Sequence, residues 1–563
     1  SNDKFLTVSE PEVTLPTFIL NSNDLVVAHT FTKSNRSARV NVYKRDSGGT
    51  WSLHGTMIES TSIPHFASSY SSISDDGKRL VVPSKDDFSK FHTYTYNVYN
   101  ESWTTGTTPQ NIDNTNHNGS LTTLQIRNYT AAAQSITIAS GDGTKVASLY
   151  FGDPADDLEA LNDGGWRPQF KIYTIGSLST STQWNQRGGN INLSSTGINT
   201  LDTVLTVSEK IITPSVSISN DASTLAVGLA NDNVVKVFKY SNDTWGEVAS
   251  LTGTGQFGDQ LVLTRDGNSL AVSAPGSGKI FLYDTSTSSV TQKANTLQNT
   301  SVHSNGNFGY SLGLSNDCTR LFIGDPDYSN DVSDITRDTG RVVIKEYDAT
   351  VDSSGTGLPL GFSLGTEIEI VRGGNLQVAT DRHTRFGESL DVSGDGARLI
   401  ASRFGLLDTT FVGDPYTSLE ISELWGRDSQ TGNWSKKNLQ SLVPIMTGSI
   451  SSGNSEQYYQ SPIVKISDSG DYFFYGVSEP SNTSYGSNVA LTTTQQYFSP
   501  VLTLNGASRI EIIIGLPYTE LGCTSDDPND TMVITGNVDI TVLGVYTVRY
   551  TVTRFGLSSF IER

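Results

Sequence analysis

The sequence predicts an all-β protein: an eight-bladed β-propeller over residues 1–497, then a small β-sandwich over residues 498–563. Three observations predict it. The turn Ser-x-Asp-Gly-x-x-Leu recurs about eight times, as Ser74–Leu80, Thr264–Leu270 and Ser393–Leu399, with looser copies at Asn21–Leu25, Ser140–Val146, Ser219–Leu225, Ser315–Leu321 and Ser467–Phe473. Repetition on this scale marks an array of like units. Each copy leads into an apolar run of strand length. Only 17% of residues are charged, polar turn formers are plentiful, and no helical periodicity exceeds the short stretch Asp156–Leu161.

Each unit repeats one order of elements. An alternating strand comes first, as in Ser311–Leu314 or Ser389–Val392. The Asp-Gly turn follows, read as a two-residue hairpin whose Gly tolerates positive φ. Next is a run such as Leu80–Val82, Leu225–Val227 or Leu321–Ile323, apolar at every residue and so expected to be buried on both faces. A third strand ends on an aromatic: Arg39–Tyr43, Val234–Phe238, Lys279–Tyr283, Arg341–Tyr347. A fourth, weaker strand opens near Trp51, Trp103, Trp184, Trp245 or Trp434, whose rings read as packing between blades. Four antiparallel strands repeated around a ring make a propeller; seven blades is the alternative count. The units at Ser140, Ser315 and Ser393 carry long insertions between their second and third strands, the kind that collect on a binding face.

The ends of the array carry their own signal. Leu6-Thr7-Val8-Ser9-Glu10 recurs as Leu205-Thr206-Val207-Ser208-Glu209, at the last strand of the third unit. The eighth unit lacks such a strand, because the chain leaves it after Val489–Leu491. Phe5–Ser9 is therefore expected to pair onto the eighth blade and close the ring, which removes exposed edges. From about Ser499 the pattern changes. Val501–Gly506, Ile510–Ile514, Tyr518–Gly522, Gly536–Asp539 and Gly544–Tyr550 read as the short strands of a sandwich.

Bulk properties exclude several classes. A net charge of −20 argues against a nucleic-acid partner. The densest apolar run, Ile510–Leu516, is too short for a membrane helix. The chain begins at Ser1 without a signal-peptide pattern and reads as a processed or trimmed product.

Phe308-Gly309-Tyr310-Ser311-Leu312, with Asn316-Asp317 and Leu321-Phe322-Ile323-Gly324-Asp325-Pro326, resembles the FG-GAP repeat of integrin-α-type propellers. So do Phe257-Gly258, Leu270–Pro275 and Phe386–Leu390. The resemblance covers residues 1–495 and is strongest in units five to seven. The FG-GAP-like propellers of algal, marine bacterial and large-virus surface proteins are more similar still, sharing the Val-x-Val-Tyr…Trp ending. Residues 498–563 resemble the bacterial-type immunoglobulin-like repeats of secreted surface proteins. The resemblance implies an extracellular or particle-surface protein used in adhesion or assembly, with the terminal module a spacer or stalk.

His29, His54, His65, His92, His117, His303 and His383 are scattered and form no metal or triad spacing, and no nucleophile elbow or phosphate loop occurs. Two acidic loops, each following a Gly-Asp-Pro, are the candidate calcium sites: Asp153, Asp156, Asp157 and Glu159, and Asp325, Asp327 and Asp331. The alternative is a solvated acidic loop. The integrin pattern places its calcium loop between the first two strands, where these turns are too short to wrap an ion. Cys318 stands at the Gly position of its turn and Cys523 follows Leu521-Gly522. A disulfide pinning the sandwich to the sixth blade would explain both; free thiols and inter-subunit bridges are the alternatives. Ten Asn-x-Ser/Thr sequons are candidate glycosylation sites: Asn35, Asn100, Asn118, Asn128, Asn192, Asn242, Asn299, Asn433, Asn482 and Asn529.

The expected function is that of a non-enzymatic extracellular structural or adhesive protein. Such a protein would be a subunit of a filament, flagellar hair or virion fibre that meets copies of itself or other surface subunits. One alternative is recognition of glycan or protein through the long loops. The other is a glycoside-hydrolase-type propeller, which three or more carboxylate, Tyr or Arg side chains at the funnel mouth would favour.

Overall fold

The computed structural model describes residues 6–11, 13–20, 26–33, 38–45, 51–56, 58–60, 72–83, 90–105, 110–111, 136–140, 144–152, 167–175, 184–188, 191–192, 215–230, 232–294, 296–299, 307–328, 338–347, 366–369, 383–402, 406–407, 422–427, 432–436, 457–458, 463–470, 472–477, 489–496, 502–525, 531–554 and 557–563. Among them there is no α-helix; one 3₁₀ turn, Pro275–Ser277, interrupts the strands. The Asp156–Leu161 stretch and the Leu205–Glu209 copy lie outside the described residues.

Eight sheets of four or five strands follow one another along the chain among the described residues, antiparallel but for His383–Phe386, which pairs parallel with Asp338–Glu346 in the sixth. The fourth is the plainest: Ser215–Ile218, Thr224–Leu229, Val234–Ser241 and Thr244–Thr252, paired in sequence order. Sheets one, two, three and five split the outer position into two short strands on the same partner, as Trp184–Gln186 and Ile191–Asn192 do on Arg167–Ile175. These two strands fill the outer edge of the third sheet. The eighth sheet takes Ile463–Ile466, Tyr472–Val477 and Val489–Gln496 from one end of the propeller-like region and Leu6–Pro11 from the other. The N-terminal strand runs antiparallel with Leu6 opposite Thr494 and Pro11 opposite Val489.

The recurrent turn is longer than a two-residue hairpin. In the second sheet Ser74 and Arg79 close a four-residue loop: Ser74 N donates to Arg79 O at 2.9 Å and Gly77 N to Ser74 O at 2.8 Å. The reason lies in two side chains. The Ser74 hydroxyl donates to Asp76 Oδ1 at 2.6 Å and accepts from Arg79 N at 3.0 Å, while Lys78 N donates to Asp76 Oδ1 at 3.0 Å. Side-chain oxygens thus satisfy amides that a tighter turn would pair with carbonyls. The same bonds recur from Ser219 to Asp221, Thr264 to Asp266, Ser315 to Asp317 and Ser393 to Asp395. The Gly is needed twice over. Gly267 has φ +71°, and a Cβ there would sit 2.8 Å from Ser219 Cβ in the preceding sheet's turn.

The continuous apolar strands are buried on both faces. In the fourth sheet Leu225 and Val227 pack with Ala147 and Ile172 of the third, while Ala226 packs with Leu270 and Val272 of the fifth. Leu321 and Ile323 likewise face the fifth sheet and Phe322 the seventh. Each such Leu, Val, Ile or Phe contributes roughly 1.5–3 kcal/mol of burial. Val13–Leu20 of the first sheet packs on the three strands Ile463–Ile466, Tyr472–Val477 and Val489–Gln496 of the eighth. Glycines permit the closest approaches. A Cβ on Gly324 would overlap the carbonyl oxygen of Gly387, and one on Gly228 that of Gly258.

The C-terminal region differs from the pattern read in its sequence. Leu502–Leu504 pairs Cys523–Ser525, and Met532–Thr535, Arg549–Arg554 and Leu557–Glu562 form a second sheet. Ile510–Ile514, Tyr518–Gly522 and Gly536–Asp539 are not strands. Ile513 and Ile514 are exposed, and the segment turns at Gly515, whose N–H donates to Ile540 O. An apolar run alone does not make a strand where no neighbour pairs with it.

Removing residues 1–11 strips the outer strand from the eighth sheet. The melting temperature should fall sharply, and an unchanged melt would show that the pairing is dispensable. Gly324→Ala should cost about 1–3 kcal/mol in urea unfolding, because neither backbone can yield freely.

Candidate functional site

The residue after each turn's Ser or Thr varies, and these side chains meet. Arg265 of the fifth sheet donates through Nη1 to Asp468 Oδ2 of the eighth at 2.7 Å and through Nη2 to Asp75 Oδ2 of the second at 2.9 Å. It also reaches Asn220 Oδ1 of the fourth at 3.4 Å. Asn316 Nδ2 of the sixth donates to the other oxygen of Asp468 at 3.0 Å. Backbone bonds join the same turns: Asn220 N to Arg265 O, Asn316 N to Gly394 O and Gly394 N to Asp468 O, at 2.7–2.8 Å. Side chains of sheets two, four and eight therefore meet the guanidinium of sheet five, and sheets six and seven join the cluster through Asp468. The guanidinium's donors are spent on carboxylates, so the cluster holds sheets together and offers no base or nucleophile poised for reaction.

A second charged cluster lies at the opposite end of the first strands, where each follows a Phe-Gly pair. Phe257, Phe308 and Phe386 are buried, and Gly258, Gly309 and Gly387 take φ between 88° and 96°. Around them stand Asp325 and Asp327, the described members of the second acidic loop. Asp325 is fully buried and accepts from Arg341 Nε at 3.1 Å; Arg341 Nη2 donates to Asn299 Oδ1 at 3.1 Å and the guanidinium lies 4.0 Å from the Tyr328 ring centroid. Asp327 is held by Arg385 and Asn307, and Arg385 Nε also donates to Glu388 Oε2 at 3.2 Å. Burial works against the charge on Arg385, and Glu388 and Asp327 more than offset it. Burial, then Glu388, pushes the Tyr310 phenol up, away from service as a base. Asp325 and Asp327 thus serve arginines where calcium ligation was expected. Asp153, Asp156, Asp157, Glu159 and Asp331 lie outside the described residues. Among the described residues no three His, Cys, Asp or Glu side chains gather as a metal site.

Sequence reasoning missed a third recurrence, at the split in the outer strands. His54, Arg187 and Lys293 occupy one position in sheets one, three and five, each donating its N–H to the third strand, at Val42 O, Ile172 O and Leu282 O. Each lays its side chain on a Tyr of the next sheet. His54 stacks on Tyr96 at 3.7 Å, Arg187 lies 3.7 Å over Tyr240, and Lys293 lies 5.4 Å over Tyr347. The Trp of that next sheet locks the first two joints. Trp103 Nε1 donates to His54 O at 2.7 Å and Trp245 Nε1 to Arg187 O at 3.0 Å. These two rings pack between sheets, as their place in the repeat implied. The stacking partners were hidden because a ring stack or a cation–π pair needs only two groups in reach, with no fixed spacing.

The expected disulfide is not formed: Cys318 and Cys523 are free thiols. Cys318 packs in the core between sheets five and six with Ile280, Leu282 and Leu321, where burial pushes its thiol up despite a bond with Ser269. Cys523 is half-buried at the start of its strand in the C-terminal region. Of the sequons, Asn35, Asn118, Asn128, Asn482 and Asn529 lie outside the described residues. Asn100, Asn242 and Asn433 are exposed, Asn299 is half-buried against Arg341, and Asn192 is paired in a strand opposite Gln169.

Comparison with known proteins bears mainly on the C-terminal end. Residues 502–563 match the family model "Bacterial surface protein, Ig-like domain". No curated protein matches the chain. Among solved structures, Sqt1 from Chaetomium thermophilum is similar over 88% of this chain and 98% of its own, at 11% identity and a TM-score of 0.46. A putative 6-phosphogluconolactonase from Bacteroides uniformis covers 71% of this chain and 91% of its own, at 12% identity and a TM-score of 0.40. The Swd1 β-propeller domain of Myceliophteria thermophila covers 71% and 96%, at 11% identity and 0.37. At these scores none of the three informs the reading of any site. The C-terminal residues carry a bacterial surface immunoglobulin-like domain, and the preceding sheets are propeller-like.

The two arginine clusters should respond differently to substitution. Asp325→Asn removes the buried carboxylate that Arg341 Nε bonds and should cost about 3–5 kcal/mol in urea unfolding. Arg265→Met removes two half-exposed pairs and should cost about 1 kcal/mol per pair at most. Burial and Lys44 push the His54 imidazole down to about 4. The unfolded chain takes up that proton at the ordinary value near 6.5. The contribution of neutral His54 is therefore complete above pH 6.5 and is lost as the pH falls towards 4. His54→Gln should flatten that part of the stability profile, measured by unfolding at each pH.

Proposed function

We propose that the protein is a non-enzymatic structural or adhesive surface protein, built as an eight-bladed propeller closed by its N-terminal strand and continued by an immunoglobulin-like module over residues 498–563. The observation that carries the surface setting is the match of residues 502–563 to a bacterial surface immunoglobulin-like domain. Support for the closed ring comes from the pairing of Leu6–Pro11 with Val489–Thr494 and from Arg265 meeting side chains of sheets two, four and eight. The positive-φ Phe-Gly turns and their packing against Gly228 and Gly324 support kinship with FG-GAP repeats.

The hydrolase reading has its cluster of carboxylate, Tyr and Arg, in Asp327, Glu388, Tyr310 and Arg385. Those groups are engaged with one another, which favours a structural role over catalysis. In this reading the protein assembles with copies of itself or with other surface subunits, and the long insertions of the third, sixth and seventh units shape the contact face. In this reading the calcium sites are the Asp153–Glu159 loop and Asp331.

Electron microscopy of the native assembly tests the proposal. Repeating contacts between copies in a filament or fibre are expected. A monomer with saturable glycan binding would replace this reading with recognition, and turnover of a glycoside by the purified chain would replace it with hydrolysis. Millimolar calcium should raise the melting temperature, and an unchanged melt would remove the calcium site from this reading.

A further inference from the structure

Three of the five sequons within the described residues share one place in the repeat. Asn100 lies in the turn between Lys90–Asn97 and Ser102–Thr105, Asn242 between Val234–Ser241 and Thr244–Thr252, and Asn433 between Ser422–Arg427 and Trp434–Lys436. Each is the hairpin joining the third and fourth strands of its sheet, at the outer end of the strand order. All three asparagines are exposed. A Trp anchors each hairpin from within: Trp103 and Trp245 bond to the preceding sheet's backbone, and Trp434 meets Phe322 of the sixth sheet edge to face at 5.7 Å.

We propose that Asn100, Asn242 and Asn433 are N-glycan acceptor sites, forming an outward-facing set on the rim of the propeller-like region. The inference rests on the extracellular reading above. The local geometry suits the chemistry. Ser102 Oγ donates to Asn100 Oδ1 at 2.7 Å, so the sequon hydroxyl already engages the amide oxygen and leaves the amide nitrogen as the reacting atom. Asn242 and Asp243 form a two-residue tip with φ of 50° and 59°, closed by Ser241 opposite Thr244, which carries the acceptor clear of the sheet. In the transfer, Asn Nδ2 attacks the anomeric carbon of an oligosaccharide borne on a polyprenyl diphosphate. The C–N bond forms, the bond from carbon to diphosphate oxygen breaks, polyprenyl diphosphate leaves and the amide proton passes to solvent. No oxidant or reductant is needed.

The other two described sequons are poor sites in the folded chain. Asn299 Oδ1 accepts from the buried Arg341, and Asn192 lies within a strand. A glycan at Asn299 would displace its bond to Arg341. At the rim hairpins it would cover Val98 and Tyr99, which are exposed apolar groups beside Asn100. It would also leave both ends of the first strands unobstructed.

The test is the full chain carrying a eukaryotic secretion leader, which forces exposure to the transferase whatever the natural location. Peptide mapping after amidase release should show Asn→Asp conversion at 100, 242 and 433 and none at 299. N100Q, N242Q and N433Q should each remove one glycan mass and leave the melting temperature of the enzymatically deglycosylated protein unchanged. Empty rim sites in the secreted protein, or occupancy at Asn299 with the rim bare, would overturn the inference. Localisation of the natural protein is a separate measurement, and an intracellular result there would sink the extracellular reading without altering acceptor competence.

Discussion

The bond from a Ser or Thr hydroxyl to an Asp carboxylate two residues on is the constraint on which the rest of the structure depends. It turns a flexible four-residue loop into a fixed platform. The carboxylates are correspondingly comfortable as anions. At Asp221, Asp266 and Asp317 burial raises the pKa, but bonds from the Ser or Thr hydroxyls and following amides bring it below the ordinary value. Because each platform is rigid, the residue between hydroxyl and carboxylate is aimed in one direction. Arg265, Asn220, Asn316 and Asp75 can then meet although they come from distant parts of the chain, and they gather with Asp468, whose turn pairs the Ser467 hydroxyl with that of Ser469 at 3.4 Å.

Two positions show the strength of that constraint. Ala222 and Cys318 stand where other copies have Gly, yet both keep the left-handed conformation, at φ of 52° and 61°. A side chain there costs about 1–2 kcal/mol of backbone strain. The surrounding bonds hold it, and both side chains are buried in return. The turn imposes its shape even on residues that resist it.

Much of the fold was legible because it is written in period-two alternation and in repeated turn residues. Leu225–Val227 announced double-sided burial, and the orphan Leu6–Glu10 announced the strand that joins Val489–Gln496. The C-terminal region was less legible. Ile510–Ile514 has strand composition, but its partners are set by tertiary pairing that composition does not encode. The charged clusters were the least visible. Asp325 and Asp327 read as ligands for a cation, and the cations turned out to be Arg341 and Arg385, 16 and 58 residues away. Charge alone does not distinguish a guanidinium partner from a metal.

The strand Leu6–Pro11 is joined to Val489–Gln496, which is made long after it. Synthesis at roughly 5–20 residues per second leaves Leu6–Pro11 waiting for about 25–100 s before Val489–Gln496 exists. Through that interval both the waiting strand and the growing array present unsatisfied backbone to any neighbouring chain. A nascent protein of this design therefore depends on shielding during translation. Crowded or chaperone-poor synthesis would convert the same complementarity into entanglement between chains on one messenger.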